Sequence, residues 1–181
     1  MTDFKIIYLV RHAKSSWSNP LLNDRDRPLN KRGKHDAPMM AERLSAAISA
    51  QPEVYLSPTL LISSPAKRAR RTAREFRKAL QLPKSQRTIE EALYFQGPGA
   101  ILESLTTVAD CHHAVMIFSH NPDLTELYNQ LTGDGLDNLP TCAVATLRFD
   151  IASWQALTGA KVAHALLDYP KLRPRQAFLL G

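Results

Sequence analysis

Three apolar runs in this sequence stop at residues that can do chemistry. "KIIYLV", residues 5–10, runs into Arg11-His12; "LLISSP", 60–65, leads to Arg68; "AVMIF", 114–118, runs into Ser119-His120-Asn121-Pro122. An arginine fork matches two phosphate oxygens and keeps its charge, while an imidazole near neutral pH offers an unprotonated ring nitrogen. Two arginines and two histidines at one place suit phosphoryl transfer: Arg11 and Arg68 hold the phosphoryl oxygens, His12 attacks, and His120 donates a hydrogen bond. Guanidinium charge beside His12 favours its neutral form. The sequence has neither a Gly-rich phosphate loop nor an Asp cluster spaced for magnesium, so the arginines take over a metal's work. Each histidine alone reads as a structural residue; their convergence is what makes a site.

That convergence demands an architecture. Residues 5–10, 59–63 and 114–118 are short, β-branched and apolar at consecutive positions, as strands buried on both faces are, and 87–89 is a further short strand. Helices are expected over 31–49, capped by Asn30 with Pro38 in its first turns, from the Ser-Ser-Pro junction to about Leu80, over 98–109, and from about Pro122 to a stop at Gly133. Strand followed by helix is the α/β signature, and parallel strands deliver their carboxyl ends to one edge, where ligands bind. Two later strands, 142–149 and 162–167, alternate more and fit edge or antiparallel positions. The tail after Pro170 is basic and is expected on the surface.

Charge is placed unevenly. The net charge is +6, yet seven Lys or Arg residues fall within "KRARRTAREFRK", 67–78. On a helical projection Ala66, Ala69, Ala73, Phe76 and Leu80 form one apolar stripe, with Lys67, Arg70, Arg71, Arg74, Arg77 and Lys78 fanned over the far side as a solvated face. Arg68 lies on the other flank, in the first turn, aimed at the site. At 181 residues the chain fits one domain, 1–181, and no apolar stretch approaches the length of a membrane span. The start, "MTDFKII", reads as neither a secretory signal nor a transit peptide, so a cytoplasmic setting is expected. Cys111 and Cys142 read as buried reduced thiols, and His35, His112, His113 and His164 as structural or solvated.

These residues resemble the histidine phosphatase superfamily, the phosphoglycerate-mutase-like fold. "LVRHAKSSW" resembles its N-terminal RHG or RHA motif, "DRPLNKRGKHDA" its R-P-L-x-x-x-G stretch, "SSPAKRARRTA" its S-P-x-x-R-A-x-x-T segment, and "IFSHNPDL" its distal S/G-H-N motif, in the family's order and across most of the chain. The short length and the Ala13-Lys14 ending resemble the compact, SixA-like phosphohistidine phosphatase branch. The resemblance implies a three-layer α/β/α sandwich with a mostly parallel sheet and no cofactor or metal. It implies His12 as the residue that becomes phosphorylated, Arg11 and Arg68 as phosphoryl ligands, and His120 completing the pocket. Arg27, in the R-P-L segment, is a candidate for substrate-side binding, against the reading of a surface arginine. Position 13 is Ala where many members carry Gly, so the backbone there avoids Gly-only angles. Many members supply a general acid after the second-arginine helix; here Glu91 is the candidate, with Glu90 and Asp24 as rivals, and an imidazole leaving group needs less acid help than an alkoxide.

The expected partner is a phosphorylated protein carrying phosphohistidine, or else a small phosphate ester, with neither membrane nor nucleic acid among the favoured partners. A third reading, of a different class, is a non-catalytic phosphate- or nucleic-acid-binding module built on the basic helix.

Overall fold

The computed structural model describes residues 4–172, so the end of the basic tail lies outside the described residues. Its centre is a six-stranded sheet. The strands are β1 (Lys5–Arg11), β2 (Leu60–Ser63), β3 (Arg87–Ile89), β4 (Ala114–Ser119), β5 (Val144–Phe149) and β6 (His164–Asp168), in the order β3-β2-β4-β1-β5-β6. The first four in that order are mutually parallel and β5 and β6 are antiparallel, as the alternation of the late strands predicts. β1 and β4 are central and apolar at every interior position because helices cover both faces.

Helix α1 (Lys31–Ala50) and helix α2 (Lys67–Ala79) pack on one face, where Met40, Leu44, Ala73 and Phe76 meet Tyr8, Val10, Met116 and Phe118. Helix α3 (Pro98–Thr106), helix α4 (Asp123–Thr132) and the turn at Trp154 cover the other, on Ile7, Leu9, Val115 and Ile117. The result is the three-layer sandwich, mostly parallel in its sheet.

Local chemistry sets the boundaries. Asn30 caps α1 by accepting from the Gly33 N–H at 2.9 Å, and the helix runs straight through Pro38, whose missing N–H leaves only the exposed Lys34 carbonyl to water. Helix α3 stops three residues short of the expected end, where the Thr106 and Thr107 hydroxyls bond the Glu103 and Ser104 carbonyls and compete with further turns. Gly133 closes α4 at φ +79, its N–H donating to Asn129 O. The cysteine expectation needs one correction. Cys142 is buried, but Cys111 is exposed, because it lies in the turn before β4 rather than in the strand.

The first turn of α1 sits directly on the peptide of Lys14, two residues past His12. The Asn30 N–H donates to Lys14 O at 3.0 Å, and a Cβ on Gly33 would stand 2.2 Å from that same oxygen. Gly33, the glycine of the R-P-L-x-x-x-G stretch, is therefore required by close approach. Gly33→Ala is expected to cost about 1–3 kcal/mol of stability by overpacking and to lower turnover by displacing the 13–15 loop. Urea denaturation checks the first effect, and an unchanged midpoint would show that the loop yields freely.

Candidate active site

The parallel strands end at one edge, and the residues expected there meet. Register pairs Arg11 with Ser119 across β1 and β4, so His12 and His120 emerge side by side, with ring centroids 5.0 Å apart. The first turn of α2 adds Arg68. Together with Arg27 and Asp24 these side chains line an open cavity of about 350 Å³.

His12 is buried and its tautomer is fixed. Nδ1 lies 2.8 Å from the Ala13 carbonyl, an acceptor only, so Nδ1 carries the proton. Nε2 is left with its lone pair, which accepts from Arg68 Nε at 3.2 Å. Burial, followed by the charges of Arg68, Arg11 and Arg27, lowers the pKa of His12 to about 3. The ring is neutral at physiological pH, as a nucleophile requires.

His120 is buried, and its orientation follows from Ser64. Ser64 Oγ accepts from the Ala66 N–H at 3.3 Å and shares a hydrogen bond with His120 Nε2 at 2.7 Å. His120 Nδ1 is buried and has no partner among the described residues. Arg11 Nε is likewise buried without a partner, while its Nη1 is held by Leu139 O at 2.5 Å and Asn138 Oδ1 at 3.1 Å. Arg11 and His120 both line the cavity, where a guanidinium beside an imidazole suits an oxyanion. Burial first, with the Arg68 charge adding to it, also lowers the pKa of His120 and keeps it neutral.

Arg27 belongs to the pocket and is not a surface arginine. It is buried, donating to Asp24 Oδ1 at 2.7 Å, Ser15 Oγ at 2.6 Å and Ser16 O at 3.1 Å. Its guanidinium lies 3.2 Å from the ring centroid of the exposed Trp17, which borders the cavity. Asp24 ties the two arginines together, because Arg68 donates to its carboxylate at 2.8 Å and to its carbonyl at 2.6 Å. Burial pulls the Asp24 pKa up, but hydrogen bonds from Arg68, Tyr94 and Arg27 and the Arg68 charge outweigh it and hold the group at about 2.

The structure does not bring Glu91 into this group. It is exposed, paired with Arg25, and outside the cavity lining. Glu90 is engaged by the Ser104 hydroxyl. Thr72, in the motif that carries Arg68, has a role that only the structure reveals: its hydroxyl accepts from the Ala13 N–H at 3.0 Å and donates to Arg68 O at 2.8 Å, binding α2 to the chain just past His12. Phe95 stacks on His120 at 4.7 Å. No sequence signal pointed to it, since a lone aromatic in a loop has no periodicity.

The model of the histidine phosphatase superfamily (branch 1) matches residues 7–93, a span that contains Arg11, His12, Arg27 and Arg68. Over that span the chain is similar to the histidine phosphatase superfamily. An uncharacterized chloroplastic protein of Arabidopsis thaliana is 29% identical over 169 residues, covering 84% of this chain and 72% of that one. Among solved structures, one described as phosphohistidine phosphatase SixA from Nakamurella multipartitia superposes with a TM-score of 0.73 at 20% identity, over 93% of this chain and 98% of that chain. Another, of the protein histidine phosphatase SixA complexed with tungstate, has a TM-score of 0.71 at 21% identity, over 89% and 96%. These likenesses establish the shared fold. No helix among the described residues is long and apolar enough to cross a membrane.

The buried imidazoles make the stability of the protein depend on pH. Unfolded histidines bind protons near pH 6.5, and the folded His12 refuses them down to about pH 3. The unfolded state binds more protons in that window, so stability falls as pH drops from 6.5, by up to about 1.4 kcal/mol per pH unit for each buried imidazole. Denaturant unfolding at pH 7 and pH 5 should show this loss, shallower in a His12→Gln/His120→Gln variant. An unchanged slope in that variant would assign the effect elsewhere.

Proposed function

We propose that this chain is a metal-independent phosphatase that works through a phosphohistidine formed on His12, with protein phosphohistidine as its substrate. The observation that carries the choice of substrate is the state of the one carboxylate on the cavity wall. Asp24 is held at about 2 between two arginines and has no proton to give at neutral pH. An alkoxide leaving group needs such a proton; an imidazole whose far nitrogen is protonated leaves as a neutral ring and does not.

In the first step, neutral His12 Nε2 attacks phosphorus and the bond from phosphorus to the substrate imidazole breaks, its electron pair staying with that ring. Arg68 Nε turns from the Nε2 lone pair to the phosphoryl oxygens, joined by Arg11 and by His120 in its Nδ1-protonated form, whose Nδ1 has no internal partner. Arg27 adds positive charge, and the His12 Nδ1–H bond to Ala13 O stabilises the imidazolium-like ring that carries the phosphoryl group. In the second step water attacks phosphorus, the bond to Nε2 breaks, phosphate departs with the water's oxygen, and the water's proton passes to phosphate or bulk solvent. A small-molecule phosphomonoesterase of the same superfamily is the second reading, favoured by the family's breadth.

Single-turnover reaction with a reactive phosphoramidate in EDTA, quenched in alkali and read by intact mass, is expected to add one phosphoryl group to the wild type and none to His12→Ala. A labelled His12→Ala protein would overturn the nucleophile. In steady state, Glu91→Gln is expected to hydrolyse a phosphohistidine protein within about twofold of wild type, because the ring leaves without an acid. A loss of 100-fold or more, the lower range of general-acid effects, would restore Glu91 as the acid, and turnover of sugar phosphates alone would favour the second reading.

A further inference from the structure

The outward face of α2 plays no part in the chemistry above, yet it is densely cationic. Lys67, Arg70, Arg71 and Arg74, with Arg87 reaching from β3, line a cleft of about 320 Å³ that has no acidic residue in its wall. Arg74 is paired with Glu75. The side chains of Lys67, Arg70, Arg71 and Arg87 have no hydrogen-bond or ion-pair partner among the described residues. Like charges gathered without a counter-ion repel, and an anion seated among them relieves that repulsion. The crowding registers on Arg87, whose pKa is lowered by burial and then by the charges of Arg77, Arg70 and Arg74.

Two further observations say what sort of anion fits. The stripe from Lys67 to Arg74 is about 10 Å long at 1.5 Å per residue and starts at the residue next to Arg68, within a turn of the group that contacts His12. Arg87 and Ile89 share one face of β3 by strand alternation, and β3 runs parallel to β2 and β4 toward the catalytic edge. There the exposed large apolar side chains of the described residues, Trp17, Leu21, Leu22, Ile89 and Phe95, lie on the two segments 17–22 and 89–95, and Trp17 and Phe95 line the cavity. An apolar rim around a polar pocket, continued by a charged flank, is the composition of a protein-binding surface. A nucleic-acid backbone would meet the same cations but carries no phosphohistidine, and the five cleft residues include no aromatic on which a base could stack.

We propose that the outer face of α2, with Arg87 beside it, docks an acidic surface of the phosphorylated protein whose phosphohistidine enters the cavity. This rests on the protein phosphohistidine reading above. Docking of this kind accelerates encounter and fixes orientation, and it weakens as salt screens the charges.

The test uses two synthetic peptides of about 20 residues, roughly 30 Å when helical. Each carries one phosphohistidine, one with glutamates along the chain and the other with glutamines in their place. Wild type is compared with R70A/R71A/R74A and with the charge-keeping R70K/R71K/R74K. The alanine triple is expected to raise KM for the acidic peptide by about tenfold or more at low salt, with kcat unchanged. Both enzymes should handle the glutamine peptide alike, and the lysine triple should stay close to wild type. Equal KM for the acidic peptide in wild type and alanine triple would overturn the docking while leaving the phosphohistidine reading intact, as would a KM change of the same size on both peptides. Wild type that turns over small phosphate esters but neither peptide would overturn both. Binding of a DNA duplex that is lost in the alanine triple, with peptide KM unmoved, would transfer the face to nucleic acid.

Discussion

The hydrogen bond from His12 Nδ1–H to the Ala13 carbonyl, 2.8 Å, decides which ring nitrogen keeps the lone pair, and the surrounding structure holds that carbonyl still. Thr72 binds the Ala13 N–H from α2, the first turn of α1 seats the Lys14 peptide, and the Cys142 N–H reaches the carbonyls of Arg11 and His12 from the β5 side. Three elements remote in sequence thus hold a segment of four residues. The cost is local backbone strain. Cys142 at φ +62 and Phe95 at φ +54 occupy the left-handed region, which costs a non-glycine residue about 1–2 kcal/mol. One braces the catalytic strand end and the other carries the ring that stacks on His120. Strain at these two positions is stored beside the reacting groups, where the packing around them holds it.

The same burial that makes His12 a nucleophile makes it a liability for the fold. A neutral imidazole under several guanidinium groups cannot take up a proton without unfavourable charge, so the site resists acid by destabilising the folded state rather than by titrating. Asp24 moderates this. Placed between Arg27 and Arg68, it orients both forks and cancels part of their field. One carboxylate does not neutralise Arg11, Lys14, Arg27 and Arg68, all on the cavity wall. A dianionic phosphoryl group therefore still meets a positive cavity, with forks already turned toward it. Orientation by Asp24 and its unavailability as an acid are one property, since the hydrogen bonds that position the arginines also hold its proton off.

Much of the fold could be read from the sequence because the informative segments obey strong local rules. β1 and β4 are unbroken apolar runs, Asn30 and Gly133 are cap residues, and the cationic helix has a clear apolar stripe, so Arg11, His12, Arg68 and His120 could be sent to one edge without coordinates. The rest depends on contacts between distant segments. Neither Glu91 nor Asp24 has a local pattern that tells a pocket carboxylate from a solvated one. The three-residue turn 24–26 presents Asp24 to the arginines, while Glu91 faces outward to Arg25. Arg27 was left open for the same reason, because its burial follows from Ser15, Ser16 and Trp17 folding around it. Cys111 is exposed because the turn before β4 extends to it and the strand begins only at Ala114, a boundary that no local pattern marks.

Helix α2 shows why composition alone misleads in such a chain. Its seven cations in twelve positions suggest a single function, but the helix has three faces with three environments. Ala69, Ala73 and Phe76 pack on the sheet; Arg68 and Thr72 face the His12 loop; the remaining cations face outward. Arg68 differs from its neighbours by angle, and that angle buries it against a histidine and an aspartate while Arg70 and Arg71 stay in water. Burial fixes the Arg68 fork, and a fixed fork can recognise a phosphoryl group atom by atom. Exposure leaves the outward cations mobile and screened, which suits long-range attraction of a large anionic surface and not chemistry. The helix can therefore hold a phosphoryl group and attract its carrier at once, because the two tasks need opposite degrees of burial and a helix presents both within one turn.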